Sequence, residues 1–212
     1  KTVNTEMARA FNRAGYHKQI CNRPLEAFQM MKTVLTSTEF DNFFWLRCDK
    51  DAQPEIEALA TCMKTCIDQS TPETLNDGEW HTPYVDHSRD SKGDLRYTVK
   101  DDKGKTSKVT LEQALAISSS SCAQVSYRNI NNTFDKAMSV YERLGVGTNK
   151  IHASAFEHCA TPTPTFEGSW KDIEGITHED RKGQLWSGNF KGFIQYRQLL
   201  NNHTCNNYKE GV

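Results

Sequence analysis

Apolar residues recur at helical spacing in several stretches, and these set the first picture of the fold. Residues 24–46 open on Pro24, whose fixed φ suits a first helical turn, and carry Leu25, Phe28, Met31 and Leu35 three to four positions apart. Residues 53–68 repeat the pattern, with Pro54 near the start and Ile56, Leu59, Ala60 and Met63 behind it. The clearest helix begins after Thr110, a capping residue, and aligns Leu111, Leu115, Ser118, Cys122 and Val125 on one face. Another carries Phe134, Ala137, Met138, Tyr141 and Leu144 and stops at Gly145. A last helix is predicted from Phe190, Phe193, Ile194, Arg197 and Leu200. Residues 71–108 break into turn signals, Asn76-Asp77-Gly78 and Asp102-Lys103-Gly104, and Leu95 to Val99 alternates like a strand of a small hairpin. Residues 148–189, rich in Thr, Pro and Gly, read as loop. The pattern predicts a mainly α fold, α+β only through a minor sheet. It is one domain over 1–212, with a cysteine-bearing insert around 48–75 and a turn-rich hairpin region over 76–108.

Charge removes some functions from the picture. Among 212 residues, 26 are Lys or Arg and 27 Asp or Glu, which leaves no basic footprint for nucleic acid or an anionic membrane. No apolar run approaches the 18 or so residues of a transmembrane helix. No charged-then-apolar leader opens the chain, so any signal peptide is expected to have been removed. Aromatic residues at 10% argue against wholesale disorder.

Seven cysteines stand at 21, 48, 62, 66, 122, 159 and 205. Zinc sites need close pairs, and the only close pair is Cys62-x3-Cys66, with no second pair or His cluster near it. Two sulfurs four residues apart share one helix face, where each more naturally bridges to another segment. Disulfides in an oxidising compartment are therefore the favoured reading, ahead of buried free thiols and of metal. The odd count leaves at least one thiol unpaired, and the helical phase points to a buried Cys122.

Three constellations offer chemistry. Ser118 to Ser121 followed by Cys122 suggests a nucleophile, with His152, His158 or His178 as its base. Cys122 stands about three turns into its helix, however, beyond reach of the dipole, and packs more naturally as a small apolar side chain. His81-x5-His87, with Asp86 and Asp90, is a metal candidate set against the commoner reading of exposed polar residues in turns. No HExxH, GxSxG or Gly-rich phosphate loop occurs, and no cofactor or metal is expected.

The order of weaker motifs along the chain resembles the transpeptidase domain of penicillin-binding proteins. Asn12-Arg13-Ala14 and Tyr16 precede Pro24-Leu25-Glu26-Ala27-Phe28-Gln29, which is similar to the family's N-R-A, Tyr and P-G-S-x-F-K segments. Trp80-His81-Thr82-Pro83 resembles its Trp-x-Pro patch, and residues 109–120, Val109 through Ser120, its V-T-L-x-x-A-L-x-x-S-x-N helix. Leu144-Gly145-Val146-Gly147 and the run from Gly183 to Gly188 into Phe190–Leu200 complete the order. The resemblance implies the helical lobe of a transpeptidase or serine β-lactamase-like fold. The helix from Pro24 would be central and buried, packed beside the helix of residues 110–127.

Each of the family's catalytic motifs is degenerate here. The S-x-x-K serine and lysine are replaced by Glu26 and Gln29, neither of which performs the acylation chemistry. The S-x-N motif has become Ser118-Ser119-Ser120, and no K-T-G follows it; Ser187-Gly188-Asn189 is out of order. The resemblance therefore implies a catalytically inactive scaffold, periplasmic or extracellular, that binds a cell-wall peptide or an envelope protein through a cleft marked by Glu26, Gln29, Ser118 and Ser120. Two alternatives stand beside it: a secreted cysteine hydrolase or acyltransferase using Cys122 with a histidine, and an unrelated secreted, disulfide-stapled helical binding domain. Asn131-Asn132-Thr133 and Asn202-His203-Thr204 are glycosylation sequons should the host be eukaryotic.

Overall fold

The computed structural model describes residues 1–101, 104–126, 133–148 and 150–206. The chain divides into two compact units, Lys1–Thr33 and Val34–Val212. The first unit holds helix α1 (Thr2–Arg13), the short α2 (Lys18–Asn22) and a 3-10 turn at Arg23–Phe28. Ala8 and Cys21 are its buried residues, and the Asn4 side-chain amide donates to the Pro24 carbonyl at 2.7 Å to fold the turn back on α1.

The second unit begins with a helical hairpin, α3 (Asp41–Arg47) and α4 (Pro54–Gln69). An antiparallel sheet follows, in order β1 (Asp86–Arg89), β2 (Leu95–Lys100), β3 (Thr106–Val109). Then come α5 (Leu111–Ala123) and α6 (Phe134–Arg143). The remainder contains 3-10 turns at Ala153–His158, Trp170–Asp172 and Tyr196–Leu199 and two more small antiparallel sheets. One pairs β4 (Ala160–Pro162) with β8 (Phe193–Gln195). The other runs β5 (His178–Glu179), β6 (Leu185–Ser187), β7 (Phe190–Lys191). The core gathers Trp80, Val85, Leu95, Tyr97, Leu115, Ile117 and Cys159 around α5.

Local signals explain the elements the sequence foretold. Thr110 accepts from the Gln113 amide and Gln113 returns the bond to the Thr110 amide, a capping box that starts α5. Gly145 takes φ +89° just past α6, a conformation that costs glycine little. One turn design recurs in the sheets. Asp90 and Asp180 each accept the amide of the glycine three residues on through their carbonyls, and amides two and four residues on through Oδ1. Asp101 repeats the bonds to Gly104 and Lys105, while residues 102 and 103 of the expected Asp102-Lys103-Gly104 turn lie outside the described residues.

The mainly helical, transpeptidase-like lobe is overturned. The chain is α+β, 42% helical and 14% strand, with small antiparallel sheets and no penicillin-binding-protein-like fold. The expected helix over 24–46 is a single 3-10 turn, a run without regular secondary structure and the short α3. Thr33, Val34, Thr36 and Thr38 are β-branched and lose side-chain freedom in a helix, and Phe28, Met31 and Leu35 are exposed, so no packing offsets that cost. The expected helix at Phe190–Leu200 is instead β7, β8 and a 3-10 turn. Gly188 and Gly192 take φ +60° and +71° and reverse the chain on either side of Phe190. A Cβ at Gly188 would meet Gln195 Oε1 at 2.8 Å. The expected loop over 148–189 carries β4, β5 and β6.

Candidate functional site: a cleft around His81

Helix α5 buries every side chain from Ala114 to Cys122, including four consecutive serines. Small side chains let neighbours approach on all sides, and each hydroxyl has a hydrogen-bond partner, which is the condition for burying it. Ser118 Oγ donates to the Pro83 carbonyl at 2.7 Å and accepts from Cys159 Sγ at 3.2 Å. Ser121 Oγ donates to the Ile117 carbonyl, and the Gln124 side-chain amide donates to Ser120 Oγ. Burial pushes the Cys122 thiol up to about 12 and the Cys159 thiol up to about 11, against an ordinary 9.0. A thiol held so far above neutrality is not an available nucleophile.

Ser118 fixes the Pro83 carbonyl, and the chain just before it lies against β4. His81 and Ala160 exchange both backbone hydrogen bonds, at 2.8 and 3.2 Å. This bridge sets His81 at a cleft of about 290 Å³ lined by Thr36, Ser37, Thr38, Ala160, Phe190, Lys191 and Phe193. The wall at 36–38 is held by three contacts: Thr36 Oγ1 to His158 Nδ1 at 3.1 Å, the Lys191 amide to Thr38 Oγ1 at 2.9 Å, and an ion pair between Lys191 and Glu39. Phe190, buried, and Phe193, half-buried, form the apolar side.

The polar groups of the cleft are mostly engaged. The His81 ring, by contrast, makes no hydrogen bond among the described residues. Although the residue is solvent-exposed, partial desolvation by the chain packed around its ring, and then the neighbouring His87 and His158, hold it below the ordinary imidazole value of 6.5. His158 is lowered as well, chiefly by burial. Both rings are therefore neutral at pH 7, and His81 can donate from one nitrogen and accept at the other. Behind it, His87 Nε2 lies 2.7 Å from Thr82 Oγ1 and its Nδ1 lies 3.3 Å from Glu73 Oε2. That chain has the order of a catalytic relay, but Thr82 is buried at 2% exposure, so its hydroxyl anchors the segment and cannot meet a substrate.

The residues expected from sequence fall in both units. Glu26 and Gln29 are exposed in the first unit, while Ser118 and Ser120 are buried in α5 of the second. No described hydrogen bond joins Cys122 to a histidine; His152 is exposed, His158 is engaged with Thr36, and His178 is exposed and stacks on Trp186. The His81–His87 metal reading fails because Asp86 pairs with Lys100 and Asp90 with Arg96. Among the described residues no group of three His, Cys, Asp or Glu side chains is arranged for a metal ion. All seven cysteines are free thiols, so the bridge expected for the 48–66 segment is not formed. The Asn131 sequon lies outside the described residues except for Thr133, and the Asn202 amide donates to the Thr148 carbonyl. No helix of the described residues is long and apolar enough to cross a membrane.

Sequence reasoning noticed His81 but gave it a different role, and it missed Thr36, Lys191 and Phe193 by placing them on helices. Ser187-Gly188-Asn189 and Gly192 were the signal for a hairpin there. Compared with known proteins, the chain matches no family model, no curated protein and no solved structure.

Proposed function

We propose that the chain is a non-covalent binding module that takes a peptide-like ligand, with one apolar group and one amide or carboxyl, in the His81 cleft. The observation that carries this reading is the neutral His81 imidazole, which has no hydrogen-bond partner among the described residues and lines one cleft with Phe190 and Phe193. Ligand sites characteristically combine an apolar lining with a few convergent polar groups. The run at 36–38, without regular secondary structure, adds the polar side chains of Thr36, Ser37 and Thr38 to one wall of the cleft, and the Thr38 hydroxyl accepts the Lys191 amide. A volume of about 290 Å³ suits one or two amino-acid residues. A cell-wall peptide is the ligand of this kind that the sequence led us to expect. The raised Cys122 and Cys159 thiols favour binding over the cysteine hydrolase alternative.

A second reading, docking of a protein partner, is favoured by the α3–α4 hairpin, where Trp45 is 77% and Leu59 57% exposed. The cleft reading is tested by thermal melting with N-acetyl-leucinamide and N-acetyl-phenylalaninamide at millimolar concentration. A ligand that binds only the folded state raises the melting temperature by mass action. The expected result is a saturable rise for the wild type that Phe193→Ala abolishes. No rise for either probe refutes the reading.

A further inference from the structure

The outer face of α4 carries a pair of free thiols that hydrogen-bond to no other described residue. Ala60, the buried residue of this helix, together with Lys64, Ile67 and Asp68 marks the side turned to α3. Cys62 and Cys66 fall on the opposite side by helical phase, in line with Leu59, and all three are exposed. Exposure of two cysteines on one face is unusual, because free cysteine is among the most buried residue types. Cys48, at the end of α3, lies by Lys64 on the inner side and does not join the pair.

Helix geometry decides what the pair can do. Side chains at i and i+4 have Cβ atoms about 5–6 Å apart. A disulfide needs about 3.5–4.5 Å between Cβ atoms, so the two thiols cannot bridge each other without unwinding α4. A metal ion relaxes that limit: with metal–sulfur bonds of about 2.3 Å, two sulfurs on one ion stand up to about 4.6 Å apart. Among the described residues no His, Asp or Glu joins the two thiols in a group of three, and Asp68 is paired with Lys64 on the inner side. Half-buried Met63, one turn before Cys66, adds a thioether at the edge of the stripe. Two thiolates and a thioether without imidazole or carboxylate form a soft, low-coordinate donor set, which suits Cu(I) and falls short of the four ligands of a structural zinc site.

We propose that Cys62 and Cys66 form a surface site for one Cu(I) ion. Each thiol releases its proton as its sulfur bonds to the metal, so one Cu(I) and two thiols give a singly negative bis-thiolate complex and two protons, with no change of oxidation state. The site is independent of the His81 cleft and stands or falls separately from it.

An anaerobic titration in which the full chain competes with bicinchoninate for Cu(I) tests the site. The wild type is expected to withdraw one equivalent from the coloured chelate. Cys62→Ser and Cys66→Ser should each weaken uptake by about a hundredfold or more, above the 10–100-fold typical for losing a group that merely supports a ligand. The double variant Cys48→Ser, Cys205→Ser, which removes the other exposed thiols, should bind as the wild type does. Failure of the wild type to compete overturns the proposal, as does equal weakening in the Cys48/Cys205 variant. Uptake of Zn(II) in place of Cu(I) under the same conditions also overturns it. Unchanged circular dichroism of the serine variants, expected for exposed positions, ties any loss to the ligands.

Discussion

Helix α5 buries all nine side chains from Ala114 to Cys122, whereas α4, sixteen residues against thirteen, buries only Ala60. Both helices announce themselves in the sequence by the same three-to-four-residue spacing. What separates them is the rest of the circumference. From Ala114 to Cys122 α5 carries only Ala, Leu, Ile, Ser and Cys, none charged and most small, so α6, the 153–158 turn and β2 all pack against it. α4 carries four charged side chains, Glu55, Glu57, Lys64 and Asp68, and its one substantial neighbour among the described residues is α3. Spacing finds a helix; side-chain size and charge around the helix decide how many neighbours it can accept.

The largest test of this contrast is truncation of one apolar side chain on each helix. Ile117→Ala, at a position with no exposure, should cost about 2–5 kcal/mol in urea denaturation. Leu59→Ala on α4 should stay within about 0.5 kcal/mol. Equal losses would break the comparison. The hydroxyls sharpen it further. Ser118→Ala strips the Pro83 carbonyl and the Cys159 thiol of a partner inside the protein and should cost about 1–3 kcal/mol. Thr65→Ala on α4 removes a hydroxyl bonded to the Thr61 carbonyl in full view of water and should cost no more than about 0.5 kcal/mol.

Thiol chemistry gives a second, smaller contrast. Cys48, Cys62, Cys66 and Cys205 are exposed, and Cys21, Cys122 and Cys159 are buried. An Ellman assay of the native protein should show four fast thiols, with three more appearing only on unfolding. Fewer than seven in denaturant without reductant would mean that disulfides form after all.

The smallest expected effect is on acid stability. Arg89 hydrogen-bonds Glu79 at 2.8 Å and, as the main cause, holds its carboxyl at about 2 against an ordinary 4.5. A carboxylate with a depressed folded pKa stabilises the fold above its unfolded value and loses that contribution as pH falls toward the folded one. Wild-type stability should therefore decline between about pH 4.5 and 2, and Glu79→Gln should flatten part of that decline. An unchanged acid limb in the variant would remove Glu79 from the account.

The sequence shows α4, α5, α6 and β2 because each is defined by local signals: Pro54, the Thr110–Gln113 box, Gly145, and the alternation from Leu95. It hides β7 and β8 because Phe190, Phe193 and Ile194 are spaced as on a helix face, and only Gly188 and Gly192 mark the reversals. It hides the irregular run at 29–39 for the opposite reason, since Leu25, Phe28, Met31 and Leu35 imitate a helix that has nothing to pack against. Two of the five segments whose order resembled a transpeptidase, residues 24–29 and 190–200, fall in those misread stretches. The His81 cleft joins residues 36–38, 81, 160 and 190–193, and no local pattern brings such distant segments together.

Proton NMR of the histidine ring Hε1 signals tests the binding reading most directly, with His81 assigned by His81→Gln. Titration with N-acetyl-leucinamide is expected to shift the His81 signal saturably while those of His17 and His178, which do not line the cleft, stay in place. A His81 signal that does not move while the probe reaches millimolar concentration, or that moves no more than those of His17 and His178, would contradict a ligand site at this cleft.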